Sequence, residues 1–342
     1  MTKVFVGMSG GVDSSLTAAL LVEQGYDVTG VYMKNWTQDL PGMKCPWAED
    51  LADAKRVAVK LGIRFKVYDF QTEYKQKVVD YMIKEYQAGR TPNPDIMCNQ
   101  EIKFQLFLET ALADGADMIA TGHYARTEEG TLQKAADHDK DQTYFVYRVT
   151  RNALTKTLFP LGAMTKPDVR KQAASRSLAT AHKKDSQGIC FVGSVSIKDF
   201  LLQYVAVKPG KVIDQDSKKE LGYHDGALFY TIGQRHGLGL GGGLPYYVVG
   251  KDMDQNIVYV SRNLNDKAMW RTELQLNDIH WISEPAGDGE QIHVRMRHRG
   301  KLLQATLHGK TLVLEEPERA ITAGQSAVIY RVDRVLGGGI VA

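Results

Sequence analysis

Cysteine is scarce in this chain: Cys45, Cys98 and Cys190 are the only three in 342 residues. An odd, small number argues against a structural disulfide framework. No CxxC pair occurs, which excludes a cysteine-rich zinc centre, and no other ligand spacing suggests a metal site. There is no run of about 18 apolar residues, so no membrane-spanning helix is expected. The opening "MTKVFVGMSGG" lacks the apolar core and small-residue cleavage site of a signal peptide. Together these absences give a cytoplasmic location as the expectation. Internal repeats and low-complexity segments are also missing. With 43% hydrophobic and 24% charged residues, disorder is excluded. A strong charge of either sign is lacking too, the net charge being +3. The length predicts two or three domains, at roughly 100–200 residues each.

What is present is an alternation. The runs "KVFVGMS", "DVTGVYMKNW", "RFKVYDF" and "ADMIATGHY" read as strands. Between them lie helical patterns at "SSLTAALLVEQGY" and "AEDLADAKRVAVKLGI", and around residues 72–88 and 101–113. Strand–helix alternation marks a parallel sheet covered by helices on both faces. Ligands on such sheets lie at the carboxyl ends of the strands, where "GMSGGVDSS", "MKNW" and "TGHYAR" fall. "TKPDVRKQAASRSL" predicts a further helix, with Thr165 as cap and Pro167 in its first turn. After "KPGK" the chain turns to short β-type segments punctuated by glycine. The expected division is a catalytic domain over 1–207, a small β-rich domain over 208–270 and a β-barrel-like domain over 271–342. From Arg148 to Lys184 there are nine Lys/Arg and one acid, Asp168. This stretch either neutralises phosphates or is a solvated basic surface.

The loop "GMSGGVDSS", residues 7–15, joins the first strand to the first helix. Helix N-termini favour anions, because free N–H groups and the helix dipole point at them. Gly10 and Gly11 allow close backbone approach, and Ser9, Ser14 and Ser15 add hydroxyl donors. Neither GxxxxGK[ST] nor GxGxxG is present. Asp13 is an odd residue in an anion cradle unless it reaches a Mg²⁺ that bridges phosphates. The string "SGGVDSS" resembles the PP-loop of ATP pyrophosphatases, whose members cleave ATP between the α and β phosphates. That resemblance implies ATP and Mg²⁺ as cofactors and Gly7, Met8, Ser9, Gly10, Gly11, Val12, Asp13, Ser14 and Ser15 as nucleotide contacts. The implied fold is α/β, with a Rossmann-like parallel sheet followed by small β-barrel-like domains.

Further strings narrow the resemblance. "RTPNPDIMCNQEIKF", "KDSQGICFVG", "KDQTYFVYRV", "YTIGQRHGLGLGG" and "LGGGIV" are similar, in order, to the tRNA-specific 2-thiouridylase (MnmA) family. The resemblance implies ATP-dependent adenylation of the C2 oxygen of a wobble uridine, followed by replacement with sulfur. The partners it implies are tRNA and a persulfide donor protein or cysteine desulfurase. Cys190 would carry the persulfide, Cys98 would be the second nucleophile, and Asp95 the general acid/base. A persulfide needs a second thiol to release its sulfide, or it attacks directly; both routes remain open. The plainer reading of each cysteine is a small core residue, but "RTPNPD" and "DSQG" read as loops, which place both thiols outside the core. Cys45 reads as an incidental thiol on a mobile loop.

By the same resemblance, Met33 and Gly122 contact the nucleotide, and Asn93, Pro94 and Asp95 meet the target base. His123, Lys140, Asp141, Gln142 and Gln325 correspond to tRNA contacts; a solvated polar loop is the alternative for residues 140–142. Arg295, Arg297 and Arg299 alternate, so on a strand they would share one face and suit a phosphate backbone. Two rival functions stand: a PP-loop ligase without a sulfur step, and a tRNA-binding protein without catalysis.

Overall fold

A computed structural model describes residues 1–39, 45–185, 196–241 and 244–342. In chain order its first strands are β1 (Lys3–Gly7), β2 (Asp27–Lys34), β3 (Arg64–Asp69), β4 (Met118–Ala120), β5 (Arg126–Glu128), β6 (Thr131–Gln133) and β7 (Thr157–Leu158). Five of them make a parallel sheet in the order β3-β2-β1-β4-β7. β1 is buried along its whole length after Lys3, which is why its sequence is continuously apolar. The order reverses between β1 and β4, so the crevice at their carboxyl ends is the switch point where such sheets bind ligands.

Helix α1 (Val12–Glu23) follows β1 directly. Helix α2 (Trp47–Leu61) ends at Gly62, which adopts the left-handed conformation at φ 66°. Helix α3, residues 71–87, contains a π-helical stretch at Lys75–Val79. Helix α4 covers residues 94–113 and is π-helical over Cys98–Leu106. Cys98 is therefore helical and 1% exposed, contrary to the loop reading of its sequence. The proline-rich string before it supplies a cap and the first helical residue rather than an extended loop. Helix α5 (Lys166–Ser175) starts at the predicted cap, where the Thr165 side chain accepts from the Asp168 N–H.

The β-rich remainder forms two further sheets. β8 (Gly210–Asp214), β9 (Glu220–His224), β10 (Tyr247–Asp252) and β11 (Ile257–Ser261) pair in the order β10-β11-β8-β9. β12 (Trp270–Trp281), β13 (Glu290–Arg295), β14 (Leu303–His308), β15 (Thr311–Arg319), β16 (Ser326–Arg331) and β17 (Arg334–Val341) close an antiparallel barrel, because β12 pairs with both β15 and β17. The hairpin β5–β6 extends this barrel sheet from the α/β part, with Leu132 opposite Val335 and Gln133 opposite Arg334. One apolar cluster runs through all three parts and includes Phe107, Tyr147, Val212, Val258 and Tyr330. No helix among the described residues is long and apolar enough to cross a membrane.

Two expectations change here. β13 ends at Arg295, so Arg297 and Arg299 lie beyond the strand and the shared-face reading fails. Arg299 has φ 59°, a turn conformation. Cys45 is buried rather than on an open loop: its thiol donates to the Trp36 carbonyl at 3.7 Å, and burial raises its pKa.

Candidate nucleotide and thiol site

The loop at the end of β1 is built by its glycines. Gly10 has φ 76°, and a side chain there would run into the Asp50 carbonyl of α2. Gly11 is the N-cap of α1, with extended backbone and room for a Cβ, whose nearest neighbour would be Ser9 Oγ at 3.6 Å. The serines organise the turn: Ser14 Oγ receives the Ser9 N–H at 3.2 Å, and Ser15 Oγ donates to the Gly11 carbonyl at 2.7 Å. Met8 is buried and donates its N–H to Val31, tying the loop to β2. Gly7 faces Met33, whose methyl would lie 3.0 Å from any added Cβ. At the end of β4, Gly122 lies against the first turn of α1, where a Cβ would come within 2.8 Å of the Ser14 nitrogen. The loops after β1 and β4, together with Met33, thus meet at the switch point.

A charged network surrounds this loop. Asp13 takes the Tyr124 hydroxyl at 2.8 Å and the Lys166 ammonium on both oxygens at 2.8 Å. Lys166 is 8% exposed and also reaches Asp185 at 2.8 Å. Asp185 accepts from Arg170 at 2.7 Å and Lys140 at 3.0 Å as well. Burial pushes its carboxyl pKa up, but bonds from Lys166 and Lys140 outweigh that and hold it below the usual range. Lys183 clamps Asp50 at 2.7 Å and Asp53 at 2.6 Å, fixing α2 beside the loop. The Tyr124 hydroxyl stays protonated, first through burial and then through the Asp13 charge.

The thiol side is the start of α4. Asn93 caps it, its Oδ1 accepting the Asp95 N–H at 3.1 Å, and Pro94 takes the first helical position. Asp95 and Cys98 are then three residues apart along the helix, which puts them on one face. The preceding stretch is held from outside the α/β part: the Gly89 carbonyl accepts Lys251 at 2.8 Å, and the Thr91 N–H reaches the Ala323 carbonyl at 2.8 Å. Phe104, further along α4, packs on His123 with ring centroids 5.5 Å apart. His123 is buried, shares a hydrogen with Thr121 Oγ1 at 2.8 Å, and titrates well below the usual imidazole range because of burial and then Lys103. A contact path therefore runs from the helix of Cys98 through His123 and Gly122 to the loop. Cys190 lies outside the described residues.

Residues 140–142 diverge to three destinations. Lys140 holds Asp185; Asp141 is buried and pairs with Arg295 at 2.8 Å; Gln142 accepts the Tyr124 N–H at 2.9 Å. Arg297 is exposed and lies 3.7 Å from Glu318, while Arg299 donates to the Asp139 carbonyl at 3.1 Å. Gln325 follows Gly324, which abuts Thr91 so closely that a Cβ would meet its nitrogen at 2.9 Å. Five of the nine cations of the basic stretch 148–184 are ion-paired: Arg148 with Asp278 and Arg176 with Glu23, alongside Lys166, Arg170 and Lys183 above.

Three family models cover the chain: a tRNA methyl transferase HUP domain over residues 2–194, a tRNA methyl transferase PRC-barrel domain over 198–262 and an aminomethyltransferase beta-barrel domain over 271–341. The tRNA-specific 2-thiouridylase MnmA 2 of Geobacillus kaustophilus is 46% identical over 353 residues, covering 99% of this chain and 94% of that protein. The MnmA of Lactiplantibacillus plantarum is 46% identical over 356 residues, covering 99% and 95%. The chain belongs to the tRNA-specific 2-thiouridylase family. Among solved structures, a 4-thiouridine synthetase–RNA complex with bound ATP aligns at TM-score 0.39 and 15% identity, over 60% of this chain and 50% of that one.

In this thiouridylase-family chain, sequence reading missed Tyr124, Lys166, Arg170 and Asp185. Tyr124 sits inside "TGHYAR", and Lys166 follows the predicted cap Thr165, so both positions carried a signal. Nothing in the sequence indicated that Lys166 would fold back onto Asp13, 153 residues away.

Proposed function

We propose that this chain thiolates the C2 position of a wobble uridine in tRNA, using ATP and a cysteine persulfide. The uridine O2 attacks the α-phosphorus of ATP; the O2–P bond forms and the bond to pyrophosphate breaks. Sulfur then bonds to C2, and the C2–O bond breaks with AMP as leaving group. Cys190 carries the sulfur as a persulfide delivered by a donor protein or cysteine desulfurase. Cys98 attacks that persulfide to free sulfide, with a Cys98–Cys190 disulfide as the by-product; or the terminal sulfur attacks C2 directly and Cys98 then attacks the Cys190 sulfur, which breaks the S–S bond to the base and forms the same disulfide. Asp95, on the face of α4 that bears Cys98, moves the proton of the target base. The whole reaction belongs in the cytoplasm, with tRNA.

The observation that carries this reading is the meeting of the Gly/Ser loop, the N-terminus of α1 and Gly122 at the switch point of a parallel sheet. The loop from Gly7 to Ser15 offers N–H groups and hydroxyls to phosphates, with Met33 and Gly122 beside it. Asp13, held by the Lys166 ammonium, is the carboxylate of this loop and suits Mg²⁺, which takes one or two carboxylates together with phosphate oxygens. When bound, that ion would neutralise phosphate charge. Arg297, Arg299 and Gln325 are offered as tRNA contacts beside Asn93, Pro94 and Asp95. For Asp141 and Arg295, the buried pair favours a structural role.

The test incubates the full chain with ATP, Mg²⁺, unmodified tRNA and a persulfide donor, followed by mass spectrometry of the tRNA. One sulfur-for-oxygen exchange is expected, lost in Cys190→Ser and in Cys98→Ser. AMP formation without sulfur gain, unchanged in Cys190→Ser, would instead establish a PP-loop ligase. Binding of tRNA without pyrophosphate release would leave a non-catalytic binder.

A further inference from the structure

Three cations from two separate stretches converge on one carboxylate beside the nucleotide loop. Lys140 precedes the buried Asp141, whereas Lys166 and Arg170 stand on successive turns of α5. The match of donors to acceptors is uneven: Lys166 and Arg170 both fall on Asp185 Oδ1, at 2.8 and 2.7 Å, while Lys140 takes Oδ2 at 3.0 Å. A carboxylate has only two oxygens for three cations, and a terminal phosphate group offers one to each. The cluster is also accessible. The side chains of Lys140, Arg170 and Asp185 are 30%, 34% and 25% exposed, so an anion from solvent can reach them. Lys166 links the cluster to the first turn of α1 through Asp13, which puts it one side chain away from the N–H groups that favour phosphate.

We propose that Lys140, Lys166 and Arg170 form the subsite for the pyrophosphate half of ATP, and that Asp185 is its built-in counter-ion, displaced when the polyphosphate arrives. The proposal rests on the ATP-using reading above and names the groups that receive its leaving group. As the bond from the α-phosphorus to its bridging oxygen breaks, the electron pair stays on that oxygen. The charge gained by pyrophosphate is then met by these three cations. Asp185 competes with the ligand for the same donors, so it restrains binding rather than assisting it.

The test is calorimetric titration of the full chain without Mg²⁺, using inorganic pyrophosphate, ATP and AMP as probes. Asp185→Asn removes the competing charge and should bind pyrophosphate and ATP several-fold more tightly than wild type. Arg170→Gln should bind both roughly tenfold more weakly, as expected for loss of one charge-assisted bond. AMP affinity should be the same in all three proteins. A merely structural Asp185 would give unchanged or weaker pyrophosphate binding in Asp185→Asn, and that result overturns the proposal. So does a wild type that binds no pyrophosphate, or variants that shift AMP or tRNA affinity instead. Should Asp185→Asn fail to fold by circular dichroism, Arg170→Gln decides alone. If the pyrophosphate shifts appear but no tRNA is ever thiolated, the subsite stands and the thiolation reading falls.

Discussion

His123 illustrates what a single residue hides in a sequence. Its place after Gly122, at the end of a strand, is where a ligand contact belongs, and its resemblance pointed to tRNA. In the fold its ring lies between Phe104 and Phe159, with centroids 5.5 and 6.3 Å away, and it bonds Thr121. Neither phenylalanine is near it in sequence, so the closure was not visible beforehand. Cys98 is similar: its proline-rich approach looked like a loop, yet it caps and starts a helix that buries the thiol. The histidine has a measurable consequence. Its folded pKa lies well below the ordinary 6.5, so on acidification the unfolded chain takes up a proton before the folded one does. Stability supplied by the neutral ring is present above pH 6.5 and is lost as pH falls from there toward the folded pKa. Urea unfolding from pH 7 to pH 5 should give His123→Phe a flatter pH profile than wild type, by up to about 1.4 kcal/mol per pH unit. Parallel profiles would mean that His123 is solvated.

Among the elements, the parallel sheet was the most legible, because buried strands and amphipathic helices carry distinct periods. The first loop was equally plain. Its two glycines nevertheless do different jobs, and the sequence does not say which is which. Gly10 needs its positive φ and has no room for a Cβ; Gly11 has ordinary φ and would hold a Cβ in ordinary contact with Ser9 Oγ. Gly10→Ala should therefore destabilise the fold by at least ~1–2 kcal/mol from backbone strain alone. Gly11→Ala should cost under ~1 kcal/mol but weaken ATP binding by obstructing phosphate approach. Thermal melts paired with ATP titrations separate the two; equal melting temperatures would refute the assignment. Less legible were the π-helical turns in α3 and α4, which have no compositional mark. The short strands β5, β6 and β7 were also missed, since two or three residues carry no period, and β6 and β7 pair with strands distant in the chain.

At the scale of the whole molecule, the change from α/β to β-rich sequence was readable, but not how firmly the parts would be joined. Arg295 of the barrel and Asp141 of the α/β part form a buried pair at 2.8 Å, and Tyr147 reaches Ser326 Oγ at 3.0 Å. The arginine was read as an RNA-facing cation because alternation alone does not reveal which face is covered. Arg295→Met strands a buried carboxylate and should destabilise the protein by roughly 3 kcal/mol, the low end for a broken buried pair, since Asp141 keeps its bonds from Thr143 and Ala135. Adding Asp141→Asn should restore part of the loss in a denaturant titration, and no recovery would argue against coupling. The hairpin β5–β6 has its own consequence for how the protein is made. Its second strand, β6, finds its partner β17 only about 200 residues later in the chain. At ~5–20 residues per second of synthesis, that edge waits on the order of 10–40 s on the ribosome with its backbone unpaired. During that interval the nascent α/β half is the species most exposed to mispairing with a neighbour, and the one a chaperone would have most reason to hold.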